Sequence, residues 1–138
     1  MIMNRQIGKI ETPRIGLLSW ISQGTSKQSM TAGAGHIDGT PLPGAGDNFA
    51  IAGDRGLYGA PFLKLDQVRA GDKVILLMPR ADLTYQVSGV TKVPPDDVCA
   101  LVPSGDDSIT LSTCDPVWQI DQRIIVSGRL INLEVKPW

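Results

Sequence analysis

Short bursts of alternating apolar and polar positions, broken every few residues by Gly, Pro, Asn or Asp, run through most of the chain, and this is a pattern of strands. GKIE and RIGLLSWI read as the first two strands, followed by a polar stretch from Gln23 to Met30 with room for one helical turn. The stretch GAGHIDGTPLPGAGDN, Gly33 to Asn48, holds too many Gly and Pro for regular structure, so it reads as a shaped surface loop around a short strand. FAIAG then reads as a buried strand. In APFLKLDQV, Ala60 to Val68, residues Phe62, Leu65 and Val68 recur at helical spacing and AGD closes the segment, which makes it the best helix candidate. KVILLM, LTYQVSGV, SITLSTC and RIIVSGRLINLEV follow as strands, with PPDDVCALV as a short helix or turn between two of them. About eight strands in one domain predict an all-β fold, closed or nearly closed into a barrel, because closure removes exposed strand edges.

Length agrees with that picture: 138 residues suit one domain. Thirteen Lys and Arg against fourteen Asp and Glu, with no basic run, exclude the clustered positive charge on which nucleic-acid affinity depends. One histidine and two cysteines cannot complete a Cys/His zinc site, and the carboxylates lack calcium-loop spacing, so neither a metal nor a cofactor is expected. No apolar run approaches the ~20 residues that span a bilayer, so no membrane contact by this chain is expected. Cys99 and Cys114 leave the redox setting open: a disulfide, two free thiols, or one reactive and one buried all fit.

Candidate chemistry concentrates near the C-terminal strands. In SITLSTC, Ile109 and Leu111 share one face, so Cys114 falls on the opposite face with Thr110 and Ser112, outside the core. In RIIVSG the same alternation puts Arg123 opposite Ile124 and Val126. If the two strands pair, a thiol and a guanidinium become neighbours. A nearby cation favours thiolate, the nucleophilic form, and can also face a developing oxyanion. Against this stand the plain readings, in which Cys114 is a small buried hydrophobe, Arg123 a surface charge and Cys99 a core residue within VCALV. GAGHIDG has the wrong spacing for a phosphate loop and no helix after it.

Taken together, these motifs resemble the sortase family. LSTC followed by QRIIV is similar to the sortase signature, in which a Thr-Cys strand end carries the nucleophile and an Arg opens the last long strand. GHIDGTPLPGAGDNFAIAGDRG is similar to the segment that ends in Ala-Gly-His-Arg in that family, and FLKLDQVRAGDKV to the helix and Gly-Asp turn after it. The resemblance runs from about Gly8 to Leu133 and is nearest to the compact classes D and E, placing residues 1–7 as an N-terminal extension and 8–138 as the catalytic domain. It implies an eight-stranded sortase-type β-barrel with one or two short helices and a cysteine transpeptidase. Its partners would be a Leu-Pro-x-Thr-Gly-like sorting peptide of secreted proteins and an amine of cell wall or pilin. It also implies a place on the extracytoplasmic face of the membrane, with an anchor outside this sequence. Carried over by position, Cys114 is the nucleophile, Arg123 holds oxyanion or substrate, and Thr113 supports the oxyanion pocket.

One position departs from the family pattern. IAGDR puts Asp54 where the resemblance calls for the catalytic histidine. A free aspartate with a pKa of about 3.9 is only ~0.1% protonated near pH 7, too little to donate efficiently to a leaving amine. Its negative charge also opposes thiolate formation, while burial would push it toward the acid form. Loss of acid-base catalysis costs about 10² to 10⁴ in rate, so a weakened or inactive enzyme is expected. The alternative is a non-catalytic peptide-binding module on the same scaffold. A transpeptidase acting on peptidoglycan cross-links ranks last, because LSTC lacks the glycine of a Ser-x-Gly-Cys stretch. His36 is the other candidate base, though Gly-His-Ile is common in the resembling segment, and hydrogen bonding within its loop or lining a groove accounts for it.

Overall fold

The computed structural model describes residues 6–26, 33–53, 62, 64–94, 105–113 and 123–137. Eight strands form in chain order: β1 (Gln6–Thr12), β2 (Leu17–Gln23), β3 (Ala34–His36), β4 (Asn48–Gly53), β5 (Lys73–Leu77), β6 (Ala81–Val93), β7 (Ser108–Thr113) and β8 (Arg123–Val135). They close into a barrel in the order β1-β2-β3-β4-β7-β8-β6-β5, with β5 returning to pair with β1. The all-β barrel expected from the strand pattern is therefore the observed architecture.

Most neighbours are antiparallel, and two pairings are parallel: β2 with β3 and β4 with β7. The second matters most for function. A parallel pair points both C-terminal ends the same way, so the residues that follow β4 and β7 leave the barrel from one rim. Antiparallel β8 begins at that same rim, since β7 and β8 pair from Ser108↔Arg129 up to Ser112↔Ile125.

Alternation explains which side chains fill the interior. Phe49, Ile51, Ile109, Leu111, Val126, Leu83, Tyr85 and Val87 share the inner face with Ile10, Leu76 and Ile21 and are buried. Between β1 and β2 the chain turns through a 3-10 turn at Pro13–Ile15. Pro at its start fixes φ, and Gly16 ends it at φ 66°, a left-handed conformation that glycine adopts without Cβ strain.

The helix expected over Ala60 to Val68 differs in form. The described part is a 3-10 turn, Leu65–Gln67. The residues whose spacing suggested a helix, Phe62, Leu65 and Val68, are all buried in the core. Inward side chains three residues apart satisfy a tight turn as well as an α-helix, so the spacing located the packing but not the helix type. All but the first residue of PPDDVCALV, Cys99 included, lies outside the described residues, as does the second half of the stretch between Gln23 and Met30.

Candidate functional site

The candidate site is a rim where three strand ends meet. Gly53, the last residue of β4, is the register partner of Thr113, the last residue of β7. The residue after each is a sequence candidate, Asp54 and Cys114, and both lie outside the described residues. Arg123 opens β8 at the same rim and pairs through its backbone with Val93 of β6. Its side chain is half-buried, and among the described residues its guanidinium has neither a hydrogen-bond nor an ion-pair partner. The fold thus brings the chain at 53, 113 and 123 together, although these residues are far apart in sequence.

Two contacts hold this junction. The β7–β8 ladder reaches Ser112↔Ile125, and beyond it the Ile124 N–H donates to Thr113 Oγ1 at 3.2 Å, with both residues buried. Gly53 lies against the ring of Phe62 so closely that a Cβ there would fall 2.7 Å from Cδ2 and 2.9 Å from Cε2 and Cγ. Only a residue without a side chain allows that approach of ring to backbone. Neither contact was foreseen from the sequence. A glycine closing an otherwise apolar strand, FAIAG, was the available sign of close backbone approach.

The outer face of these strands corrects one expectation. Alternation put Thr110 and Ser112 with Cys114 outside the core, facing away from Ile109 and Leu111, yet both are buried, at 4% and 2% exposure. The separation of faces is right and the exposure is not. Thr110 is satisfied by donating to Asn48 Oδ1 at 2.8 Å, which allows its hydroxyl to leave water without a large cost. Across adjacent strands, paired positions on this outer face are small: Ser22 with Gly35, Gly35 with Ala52, Ala52 with Ser112. The row ends at Ile125, the partner of Ser112, two residues from Arg123.

His36 is held elsewhere in the sheet. It is buried, pairs with Ile51, and its ring stacks on Phe49 with centroids 4.7 Å apart. Gln23 Nε2 donates to Asp38 Oδ1 at 2.7 Å, which turns Gln23 Oε1 toward His36 Nδ1 at 3.1 Å. An oxygen there requires Nδ1 to carry hydrogen. Nε2 lies 2.9 Å from Thr40 Oγ1 and 3.0 Å from the Thr40 carbonyl. Burial holds the imidazole below its ordinary pKa, against the opposing pull of the Thr40 and Pro41 backbone and the Asp38 charge. Both ring nitrogens are therefore occupied by the β2–β3 pair and the loop that follows. Among the described residues no group of His, Cys, Asp and Glu is arranged to hold a metal ion. No described helix is long and apolar enough to cross a membrane.

Comparison with known proteins agrees with this geometry. The chain is 30% identical to sortase A of Bacillus anthracis over 94% of its length and 62% of the relative's. It is 29% identical to sortase SrtE1 of Streptomyces coelicolor over 89% of its length and 40% of the relative's. The chain thus spans less than two thirds of these curated relatives. Among solved structures, sortase E of Streptomyces avermitilis superposes with a TM-score of 0.87 at 29% identity, covering 99% of this chain and 97% of that one. Sortase C of Streptococcus pneumoniae gives 0.86 at 32%, covering 99% and 74%. Residues 10–131 match the sortase domain model, nearly the whole barrel, and on that match the chain belongs to the sortase family, whose members are cysteine transpeptidases.

Proposed function

We propose that this chain is the catalytic domain of a sortase that cleaves a Leu-Pro-x-Thr-Gly-like sorting signal and transfers it to an amine. In this reading the Cys114 thiolate attacks the carbonyl carbon before the scissile bond. The C–N bond breaks, the leaving amine takes a proton from water, and the acyl group remains on sulfur as a thioester. An incoming amine then attacks the thioester carbon, the C–S bond breaks, and the thiolate is restored. Arg123 faces the oxyanion or the substrate carbonyl, and Thr113 supports the same pocket. The observation that carries the reading is the convergence of Gly53, Thr113 and Arg123 at one rim, next to positions 54 and 114.

Asp54 stands at the family's histidine position, and it makes this a weakened enzyme. A carboxylate supplies neither the proton for the leaving amine nor the positive charge that accompanies thiolate. The acceptor is an amine of cell wall or pilin; the solved sortase C of Streptococcus pneumoniae is described in terms of pilin substrate specificity. Such chemistry places the domain on the extracytoplasmic face of the membrane.

The test is mass spectrometry of the chain and its Asp54→His variant, each incubated with a library of Leu-Pro-x-Thr-Gly-like peptides and an amine acceptor. A Cys114 acyl-enzyme and ligated product with the variant, and far less with the parent, is expected. Asp54 itself favours a second reading, a module that binds an extended peptide without turnover. Peptide affinity in both proteins with no acyl-enzyme in either would establish that reading and overturn the first.

A further inference from the structure

Strand β8 runs on past its neighbour. β7 pairs with it only as far as Arg129, and one further bond, from the Leu130 N–H to the Asp107 carbonyl at 3.0 Å, ends the contact. The chain before β7 is tied instead to the start of β4: the Gly46 N–H donates to Asp107 Oδ1 at 2.6 Å and the Gly105 N–H to Asp47 Oδ1 at 3.2 Å. Residues 131–135 therefore pair with β6 on one side, and among the described residues nothing pairs with their other side. Bonding along an antiparallel pair alternates in direction. The Lys136 N–H donates to the Arg80 carbonyl at 2.9 Å, so positions 136, 134 and 132 turn their backbone groups toward β6, while Leu133 and Val135 turn theirs to the free edge. The side chains at this edge are apolar and exposed: Ile131 at 47%, Leu133 at 44% and Val135 at 69%. Charge, proline or a covering segment usually blunts such an edge, yet INLEV carries one charge, on Glu134, and no proline.

We propose that this edge is an interface between two copies of the chain, whose β8 strands pair antiparallel about a two-fold axis at Leu133. In that register INLEV is its own complement. Leu133 meets Leu133 of the second copy and the two exchange backbone hydrogen bonds, and Val135 meets Ile131 of the second copy. Glu134 meets Asn132 of the second copy, so no carboxylate stands directly opposite another. An amide suits that place, because Glu134 already faces Asp82 across β6, where Lys136 Nζ lies 2.9 Å from Asp82 Oδ1. A two-fold contact uses the same edge on both copies and closes on itself, which keeps strand addition from growing into filaments. Five residues a side cover less than the ~800 Å² per partner of a standard interface, so the dimer is weak and forms at high concentration. β8 opens at the rim with Arg123, and at ~3.3 Å per residue Leu133 lies roughly 30 Å along it, so the contact leaves both rims open. The proposal is independent of the chemistry assigned to the rim.

Sedimentation velocity of the full chain under reducing conditions, from about 10 μM to about 1 mM, tests it. The weight-average sedimentation coefficient is expected to rise with concentration toward the value of a dimer. Leu133→Lys sets two like charges against each other on the axis and is expected to abolish the rise. Should that variant fail to fold, Val135→Lys decides, because a side chain 69% exposed is dispensable for the barrel; it is expected to weaken the dimer roughly 10-fold or more. Register is read from an oxidised mixture of Asn132→Cys and Glu134→Cys proteins. Their new thiols fall opposite one another at a non-hydrogen-bonded pair, about 4.5 Å between Cα atoms, so mass spectrometry should find a disulfide joining 132 of one copy to 134 of the other. A parent that stays monomeric at about 1 mM overturns the proposal and leaves the edge to a strand of a different protein. A Val135→Lys variant that dimerises like the parent overturns it too, as does a dimer whose mixture gives no disulfide between 132 and 134.

Discussion

Substituting Gly53→Ala isolates the packing that supports the rim. The added methyl would fall 2.7 to 2.9 Å from three atoms of the Phe62 ring, against the 3.5 to 4.0 Å of an ordinary carbon contact, so ring or strand must yield by about 1 Å. Phe62 is fully buried and cannot swing into solvent. Overpacking of this kind costs about 1 to 3 kcal/mol. Alanine recovers about 0.5 to 1 kcal/mol of it, because glycine loses more backbone freedom on folding. The net expectation is a loss of about 0.5 to 2 kcal/mol, which lowers Tm by roughly 2 to 8 °C in a domain of this size. Chemical denaturation of the parent, Gly53→Ala, Phe62→Leu and the double variant forms a cycle. The smaller Leu side chain makes room for the methyl, so the double variant should be more stable than the sum of the single losses by about 1 kcal/mol. A Gly53→Ala protein as stable as the parent, or a cycle additive within ~0.3 kcal/mol, would refute the argument that this glycine exists to admit the ring.

Other expectations follow from polar groups away from the rim. Burial holds the His36 pKa below its unfolded value, so the unfolded chain binds the proton first and stability is lost as pH falls below about 6.5 toward the folded value. Thermal unfolding between pH 7 and pH 5 should show that decline, and a His36→Gln variant should flatten it. The Arg14 guanidinium, through Nε and Nη2 at 3.1 Å, holds the Asp72 carboxyl below the usual range. Asp72 therefore contributes stability above its unfolded pKa and loses it as pH falls through the lower folded value. Arg14 is 53% exposed, so Arg14→Gln should cost only about 0.2 to 1 kcal/mol in neutral urea titrations, and progressively less as pH falls through the lowered folded value of Asp72. Tyr85 is fully buried and its hydroxyl has no hydrogen-bond partner among the described residues. Tyr85→Phe should leave Tm unchanged or raise it by a few degrees, about 0 to 1 kcal/mol, whereas a clear loss would reveal a partner for that oxygen.

The barrel was legible because its strands carry local signals. Period-two alternation in KVILLM, LTYQVSGV and RIIVSG located β5, β6 and β8, and the short strand within the Gly and Pro rich loop is β3. Burial on the outer face was not legible. Thr110 and Ser112 read as solvent-facing because alternation reports the face and not what covers it, and β7 is buried on both sides. Candidate residues could be named from the chain, but the reason they meet could not. Parallel pairing of β4 with β7 joins residues some sixty positions apart, and no local pattern encodes a contact of that range. The contacts of Thr113 with Ile124 and of Gly53 with Phe62 are shorter in range, and they were missed because alternation does not report side-chain hydrogen bonds or a ring packed on backbone.

These junction contacts also bear on the choice between turnover and binding. A module that only holds an extended peptide needs a groove with walls beside the rim. The loops beside β7 that could supply such walls, 94–108 and 115–122, lie mostly outside the described residues. Binding does not require a fixed distance between a thiol and a guanidinium. Chemistry at Cys114 does, and the buried contact of Ile124 N–H with Thr113 Oγ1 lies one residue inward of positions 114 and 123, at the rim. The two readings therefore separate within one variant. Thr113→Val should leave peptide affinity within about 2-fold while lowering acyl-enzyme formation by roughly 5-fold, measured in the Asp54→His background, where turnover is expected. Equal losses in affinity and acylation would mean that Thr113 shapes the groove instead, and the peptide-binding reading would then account for the junction as well as for Asp54.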